Sequence, residues 1–174
     1  MSEPTCRILI LHDLGDHVAQ LAQAIAAGVV TVPGAEVLIR VPNSATKTDL
    51  IAADGIIIGT PNWTGIKGTL KRWLDTTGDL WEEGSLAGKV GAAFTSSAGR
   101  HSGTEFTLLS VLHWMLGGGM IIVGLPWTPL MEQAGSYYGA TSVGDITEAD
   151  LLQAQALGRR VAQIAVQLRR GANL

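Results

Sequence analysis

The fold is decided by the stretch RILIL at Arg7–Leu11 and the loop HDLGDHV that follows it at His12–Val18. A short apolar run with β-branched residues predicts a buried strand, and Gly15 marks a loop. Apolar residues then recur with a period near 3.6, which is typical of a helix with one buried face. They are Val18, Leu21, Ala22, Ile25 and Ala26. Strand, loop and helix together form the first unit of an α/β protein.

The same alternation continues along the chain. Further strands are predicted at Ala35–Val41, Gly55–Gly59, Lys89–Phe94 and Met120–Val123. Helices are predicted at Asp49–Asp54, Thr69–Asp75, Gly103–Leu116 and after Thr147, an N-cap with Asp150 as its capping-box partner. Such alternation predicts one α/β domain over residues 1–174, with a parallel sheet between two helix layers. Five strands suit the flavodoxin-like order 2-1-3-4-5 or a short Rossmann half.

A charge-free segment lies between Glu105 and Glu132 and is long enough to consider a membrane span. Three successive glycines at 117–119 and two prolines interrupt it, so a buried helix, a turn and a strand are favoured. In that helix the residues predicted to face inward, at least in part, are Phe106, Leu109, Leu112 and His113.

Composition narrows the functional class. Hydrophobic residues make up 47% and charged residues 16% of the 174, which predicts a folded core. The net charge of -3, without a basic run, argues against nucleic-acid binding. Cys6 is the only cysteine, and no metal-ligand spacing is present. Met1–Thr5 does not resemble a secretory signal, so we expect a cytoplasmic protein. We expect neither a membrane partner nor a bound metal ion.

Three loops converge in this architecture, because ligands of open parallel sheets bind beyond the carboxyl ends of the strands. They are Asp13–Val18, Thr60–Gly65 and Ser96–Gly103. In the second loop, Trp63 beside proline, asparagine and glycine suits a planar heterocycle such as isoalloxazine; alternatively, Trp63 covers the core. In the third loop, small hydroxyl and glycine residues allow close approach of a ligand, or merely cap the next helix.

Five spans carry a family resemblance. They are GTPNWTGIKGTLKRWLD (59–75), TTGDLWEEGSLAGK (76–89), AAFTSSAGRHSGTE (92–105), GGGMIIVGLP (117–126) and YYGATSVG (137–144). In this order they resemble the NAD(P)H:quinone oxidoreductases of the tryptophan-repressor-binding-protein type. The resemblance extends from about Arg7 to Arg169 and implies a flavodoxin-like FMN protein. It further implies NAD(P)H as reductant, a quinone or similar acceptor, and a homo-dimer or homo-tetramer.

The resemblance also implies the site residues. The FMN phosphate would be held by Asp13, Leu14, Gly15, Asp16, His17 and Val18. The isoalloxazine would be contacted by Thr60, Pro61, Asn62, Trp63, Thr64 and Gly65. Its other side would be wrapped by Ser96, Ser97, Ala98, Gly99, Arg100, His101 and Ser102. Trp81 and Gly118 would lie on the substrate side. The chemistry would be borne by the flavin, with no catalytic side chain.

Two aspartates depart from the family pattern. Asp13 stands in place of a phosphate-binding serine and Asp16 in place of a glycine, while Gly118 and Gly119 replace histidines. Each like-charge contact at about 4 Å costs on the order of several kcal/mol, so we expect weakened FMN binding. Capping of the helix by Asp16, or a positive charge on His17 or Arg100, would offset this. Two alternatives remain open: an FMN electron carrier for a partner protein, and a flavin-free relative with a regulatory role.

Overall fold

The computed structural model describes residues 5–171. Its strands are β1 (Cys6–His12), β2 (Ala35–Arg40), β3 (Gly55–Pro61), β4 (Val90–Ser97), β5 (Ile121–Ile122) and β6 (Gly139–Val143). Its helices are α1 (Asp16–Val29), α2 (Lys47–Ala52), α3 (Gly68–Asp75), α4 (Asp79–Glu82), α5 (Thr104–Gly117) and α6 (Glu148–Gly171). A short 3-10 turn spans Pro129–Glu132. The predicted alternation of strands and helices is confirmed.

The sheet is parallel, and its order β2-β1-β3-β4-β5 confirms the flavodoxin-like prediction. The position beyond β4 is divided between two strands. The short β5 pairs only with Val90 and Gly91, whereas β6 pairs with Ala93–Ser97. This sixth strand was not predicted, because GATSV is short, begins with glycine and alanine, which are depleted in strands, and contains no aromatic residue.

Helices cover both faces of the sheet. On one face α1 and α6 pack over Ile8, Ile10, Ile57 and Phe94; on the other, α2, α3 and α5 pack over Leu9, Leu11, Ile56 and Ile58. Alternate residues of each strand face opposite layers, so every central strand is buried on both sides. The α6 N-terminus confirms the predicted capping box: Thr147 N–H donates to Asp150 Oδ2 (2.8 Å), and Asp150 N–H donates to Thr147 Oγ1 (3.2 Å).

The outer face of α5 corrects one prediction. Phe106 is 76% exposed, and Leu109 and His113 also face outward, whereas Leu112 is buried as expected. The apolar character of α5 therefore extends around the helix instead of being confined to the core side. Within residues 5–171, no helix combines the length and apolarity required to cross a bilayer.

Charged side chains form hydrogen bonds at the edge of the sheet where the strands begin. Asp54 accepts hydrogen bonds from the Arg169 guanidinium (2.7 Å) and from Arg7 N–H (2.8 Å). Lys89 Nζ donates to the carbonyl of Ile51 at the end of α2 (2.7 Å). Next to this cluster, burial, with a smaller contribution from the Asp54 charge, raises the pKa of the Cys6 thiol to about 12. These contacts hold the C-terminal part of α6 against the sheet, away from the three loops.

Candidate functional site

Backbone hydrogen bonds bring the three predicted loops together where the strands end. Asp13 N–H donates to Gly59 O (2.9 Å), which joins the first loop to β3. Asn62 N–H donates to Ser96 O (2.8 Å), which joins the second loop to the third. Gly144 N–H donates to Ser97 O (2.9 Å) at the end of β6. The structure thus places the three loops at one edge, as the sequence predicts for a ligand site of a parallel sheet.

Asn62 connects the second and third loops through its side chain. Its Nδ2 donates to the carbonyl of Ser102 (2.8 Å) and to the Ser102 hydroxyl (3.2 Å). Its Oδ1 accepts from the buried hydroxyl of Thr107 on α5 (2.8 Å). The amide is therefore held from both ends, and it sets the separation of the two loops.

Trp63 projects from the second loop with 70% of its surface exposed, so the alternative in which it covers the core is wrong. The backbone N–H of Trp63 donates to Gly65 O (3.1 Å), which closes a tight turn. Thr64 lies inside this turn with a φ of 54°, a left-handed conformation that a β-branched residue adopts at a cost of about 1–3 kcal/mol. The turn presents a large flat ring to whatever occupies the site.

The third loop uses some of its polar groups internally. The Ser97 hydroxyl donates to Gly99 O (3.0 Å) and lies 3.1 Å from the Thr104 hydroxyl. Gly103 precedes α5 with a φ of 85° and gives the helix no side-chain cap. Arg100 and His101 project from the loop into solvent.

The first loop contains the largest departure from expectation. The Asp13 side chain is fully buried and turns into the protein: it accepts from Leu14 N–H (2.7 Å) and from Leu70 N–H in the first turn of α3 (3.1 Å). The ammonium of Lys67 lies 3.6 Å from its Oδ1. Asp13 therefore caps a neighbouring helix, where the dipole favours an anion. Its carboxylate is compensated, so the repulsion expected from it is smaller than the sequence suggested.

The helix α1 begins without a side-chain cap. Its N-cap is Gly15, so the predicted capping by Asp16 is wrong; Asp16 is an exposed residue of the first turn. The first backbone bond of the helix runs from Ala19 N–H to Gly15 O (2.9 Å). The N–H groups of Asp16, His17 and Val18 precede that bond and are the donors that a helix start offers to an anion.

The comparisons with known proteins agree with this geometry. Residues 40–133, more than half of the chain, match the family described as NADPH-dependent FMN reductase. The chain belongs to this family. A relative from Archaeoglobus fulgidus is 40% identical over 187 residues, which covers 92% of this chain and 97% of that protein. A relative from Geobacter sulfurreducens is 38% identical over 198 residues, which covers 92% and 98%. Both carry the name NAD(P)H dehydrogenase (quinone). The resemblance stated from the sequence is confirmed.

Solved structures show the fold of this FMN reductase family member independently. The flavodoxin, WrbA-like protein from Agrobacterium tumefaciens superposes with a TM-score of 0.76 at 23% identity, and covers 94% of this chain and 99% of that one. Oxidised Flavodoxin 1 from Bacillus cereus superposes with a TM-score of 0.69 at 16% identity, and covers 90% and 97%. At these identities the likeness supports the fold.

The site residues fit the cofactor of the FMN reductase family. The site combines a helix start that suits a phosphate, an exposed aromatic ring that suits a flat heterocycle, and loops of small residues. One buried side-chain oxygen in residues 5–171 has no hydrogen-bond partner: Ser142 Oγ, at the register position of Ser96 beside the third loop. An unpaired buried hydroxyl is costly, so its presence at the strand ends is consistent with a polar ligand. In the same part of the chain, no group of three acidic, histidine or cysteine side chains is placed to hold a metal ion.

Two predicted site residues lie elsewhere. Trp81 on α4 packs against Trp114, with ring centroids 5.9 Å apart, and covers Gly118, whose added Cβ would lie 3.2 Å from Trp81 Nε1. A bond from Gly88 N–H to Gly119 O (3.0 Å) fixes this region to the start of β4. At a rise of about 3.3 Å per residue, the eight-residue strand separates it from Ser97 by roughly 20 Å. The structure does not bring Trp81 and Gly118 to the three loops of the same chain.

Lys67 is the residue of this region that the sequence reasoning missed. Its N–H donates to Thr60 Oγ1 (3.1 Å) and its Nζ to Leu14 O (3.1 Å), so the lysine spans the second and first loops. A signal was present, since a cation directly before a helix opposes the helix dipole and needs a partner nearby.

Proposed function

We propose that the protein is an FMN-dependent oxidoreductase that uses NAD(P)H to reduce a quinone or similar acceptor. The observation that carries the proposal is the convergence of the three loops at the strand ends in a member of the FMN reductase family. Relatives matched over nearly their whole length and named NAD(P)H dehydrogenase (quinone) support the choice of substrates. When bound, FMN supplies the electron-transfer chemistry.

The phosphate end of the cofactor is assigned to the first loop. The N–H groups of Asp16, His17 and Val18 would donate to the phosphate at the start of α1. Leu14 and Gly15 would shape the approach of the phosphate, and the His17 imidazole would offer a ring N–H donor. Asp13 supports the site from behind by linking the loop to α3. Asp16 is the remaining unfavourable charge, since it is exposed in the first turn.

The ring end is assigned to the second and third loops. Trp63 offers its exposed face to the isoalloxazine, and Thr60–Gly65 with Ser96–Ser102 offer backbone groups to its polar edge. Asn62 keeps the two loops at a fixed separation, so less ordering is required when the ring binds. Arg100 and His101, both exposed on the third loop, would offset negative charge at the ring.

A second copy of the chain is proposed as partner. The outer face of α5 exposes Phe106, Leu109 and Leu116, and apolar patches of this kind mark contact surfaces. Trp81 and Gly118 lie far from the loops of their own chain, so their assigned substrate-side role requires a neighbouring subunit. A monomer for both wild type and Phe106→Glu in light-scattering chromatography would contradict self-association through α5.

The test of the proposed function is NAD(P)H-dependent reduction of benzoquinone by the purified protein saturated with FMN. We expect turnover that depends on both FMN and protein, and that falls in Trp63→Ala. An electron carrier would bind FMN but oxidise NAD(P)H slowly unless a partner protein is added. A flavin-free relative, which the exposed Asp16 favours, would bind no flavin.

A further inference from the structure

The ion pair between Asp13 and Lys67 lies beside the first loop, to which the cofactor phosphate is assigned, and it has features that a purely structural pair would not need. The Asp13 carboxylate already has two N–H donors, from Leu14 and Leu70. Lys67 Nζ approaches it only to 3.6 Å, which is longer than a direct hydrogen bond. The ammonium instead donates to Leu14 O at 3.1 Å. Lys67 is therefore hydrogen-bonded to the backbone of the first loop and lies near the Asp13 carboxylate without a direct hydrogen bond to it.

The position of that ammonium relative to α1 follows from its acceptor. Leu14 is the residue directly before Gly15, the N-cap of α1, so the ammonium lies within one residue of the helix start. About one third of the Lys67 side chain is exposed (32%), so it is partly accessible to a ligand. An ammonium carries three N–H donors, and the bond to Leu14 uses one of them.

The negative charges at the assigned phosphate position would be offset by the positive charge of Lys67. A dianionic phosphate at the start of α1 would face the exposed Asp16 and lie near the buried Asp13. The family pattern has neutral hydroxyl and glycine residues at these places, as the resemblance implies. Here the positive charge of Lys67, directly before α3, offsets the added carboxylates, because opposite charges a few ångströms apart attract strongly in a partly buried site.

We propose that Lys67 is the phosphate-binding cation of the flavin site, and that Asp13 holds it in place. The inference rests on the proposed function, since it assigns a residue to the same cofactor. Asp13 and Lys67 together replace the hydroxyl groups of a neutral phosphate loop. Lys67 contacts the phosphate with the donors that Leu14 leaves available, and the contact applies to FMN but not to riboflavin, which lacks the phosphate.

The test is the ratio of the dissociation constant for riboflavin to that for FMN, measured by quenching of flavin fluorescence. Lys67→Met alone leaves the buried Asp13 without its cation, so the principal variant is Asp13→Asn/Lys67→Met, which removes both charges. A lost charge-assisted contact weakens FMN binding about 10- to 100-fold, and we expect the ratio to fall by that factor. Lys67→Arg should retain most of the ratio.

The matched control is Lys71→Met, one turn further along α3, where the lysine is exposed and pairs with Asp75. We expect its ratio to equal that of wild type. Circular dichroism establishes that each variant is folded; if the double variant is not, Lys67→Met, measured in the same way, decides the question.

The outcomes separate this inference from the proposed function. Wild type that binds neither flavin refutes both. Wild type that binds both flavins, with a ratio unchanged both in Asp13→Asn/Lys67→Met and in Lys67→Met, refutes the role of Lys67 and leaves the proposed function standing. An equal loss of affinity for FMN and riboflavin also refutes it, since that result assigns Lys67 to loop structure alone. A selective loss for FMN supports it.

Discussion

Replacement of Asn62 by alanine tests whether the second and third loops are held together by one side chain. The change removes the bond to Ser102 O (2.8 Å), the weaker bond to the Ser102 hydroxyl (3.2 Å) and the bond from Thr107 Oγ1 (2.8 Å). At about 0.5–1.5 kcal/mol for each of the two short bonds, the loss is about 1–3 kcal/mol. Thr107 recovers part of it by turning its hydroxyl to a carbonyl of the preceding turn, so we expect about 1–2 kcal/mol.

The assay is urea denaturation followed by circular dichroism, combined with a double-mutant cycle using Thr107→Val. The cycle isolates the Asn62–Thr107 bond, for which we expect a coupling free energy of about 0.5–1.5 kcal/mol. Asn43→Ala is the matched control, because Asn43 is exposed in the connection between β2 and α2 and should change stability by less than about 0.5 kcal/mol. FMN affinity should also fall in Asn62→Ala, since the loops then need ordering on binding.

An Asn62→Ala variant whose free energy of unfolding lies within about 0.3 kcal/mol of wild type, and which binds FMN with unchanged affinity, would show that Asn62 does not hold the loops together. A coupling free energy near zero, with a normal loss in the single variant, would refute the Thr107 contact alone.

Three further predictions concern other parts of the molecule. Gly118→Ala should destabilise the protein in urea denaturation, because its Cβ would lie 3.2 Å from Trp81 and Leu86. In the control Gly117→Ala the Cβ would lie 3.6 Å from Trp81, so this variant should be neutral or more stable by up to about 1 kcal/mol. The opposite order of stabilities would contradict this packing. Cys6 should resist iodoacetamide at pH 8.5 in the native protein and react after unfolding, because burial raises its pKa to about 12 and only the thiolate reacts; rapid native alkylation would show that the thiol is accessible. The same raised pKa makes the folded state hold the Cys6 proton more tightly, so wild type should lose stability as the pH rises from about 9 toward 12, and Cys6→Ala should lack this loss; equal pH profiles would contradict it.

The fold was largely predictable because its signals are local. The apolar run of β3 and the helical period of α1 indicate their structures within about ten residues, and alternation then implies parallel order. The elements that were missed are short or weakly patterned: α4 has four residues, and β6 consists mostly of small ones. No local signal distinguishes them from loops.

The candidate site was predictable as a set of loops but not as a set of contacts. Asp13 and Leu70 are 57 residues apart, and their hydrogen bond depends on where α3 begins relative to the first loop. The partnership with Lys67 depends on the same geometry. Phe106 was expected to be buried because it is hydrophobic, but a hydrophobic side chain can also be exposed, and its sequence neighbours do not distinguish the two cases. Trp81 was assigned by resemblance, which carries no information about its distance from the three loops in this chain.

The central claim, that the three loops form a flavin site, is tested most directly by the absorption spectrum of the protein after incubation with FMN and removal of free flavin by gel filtration. We expect a bound-flavin absorption band at ~450 nm that elutes with the protein, because the flavin carries the chemistry of the site. The band should be retained in Lys71→Met and reduced in Trp63→Ala. Protein that elutes without the band, at FMN concentrations that saturate a micromolar site, would contradict the claim.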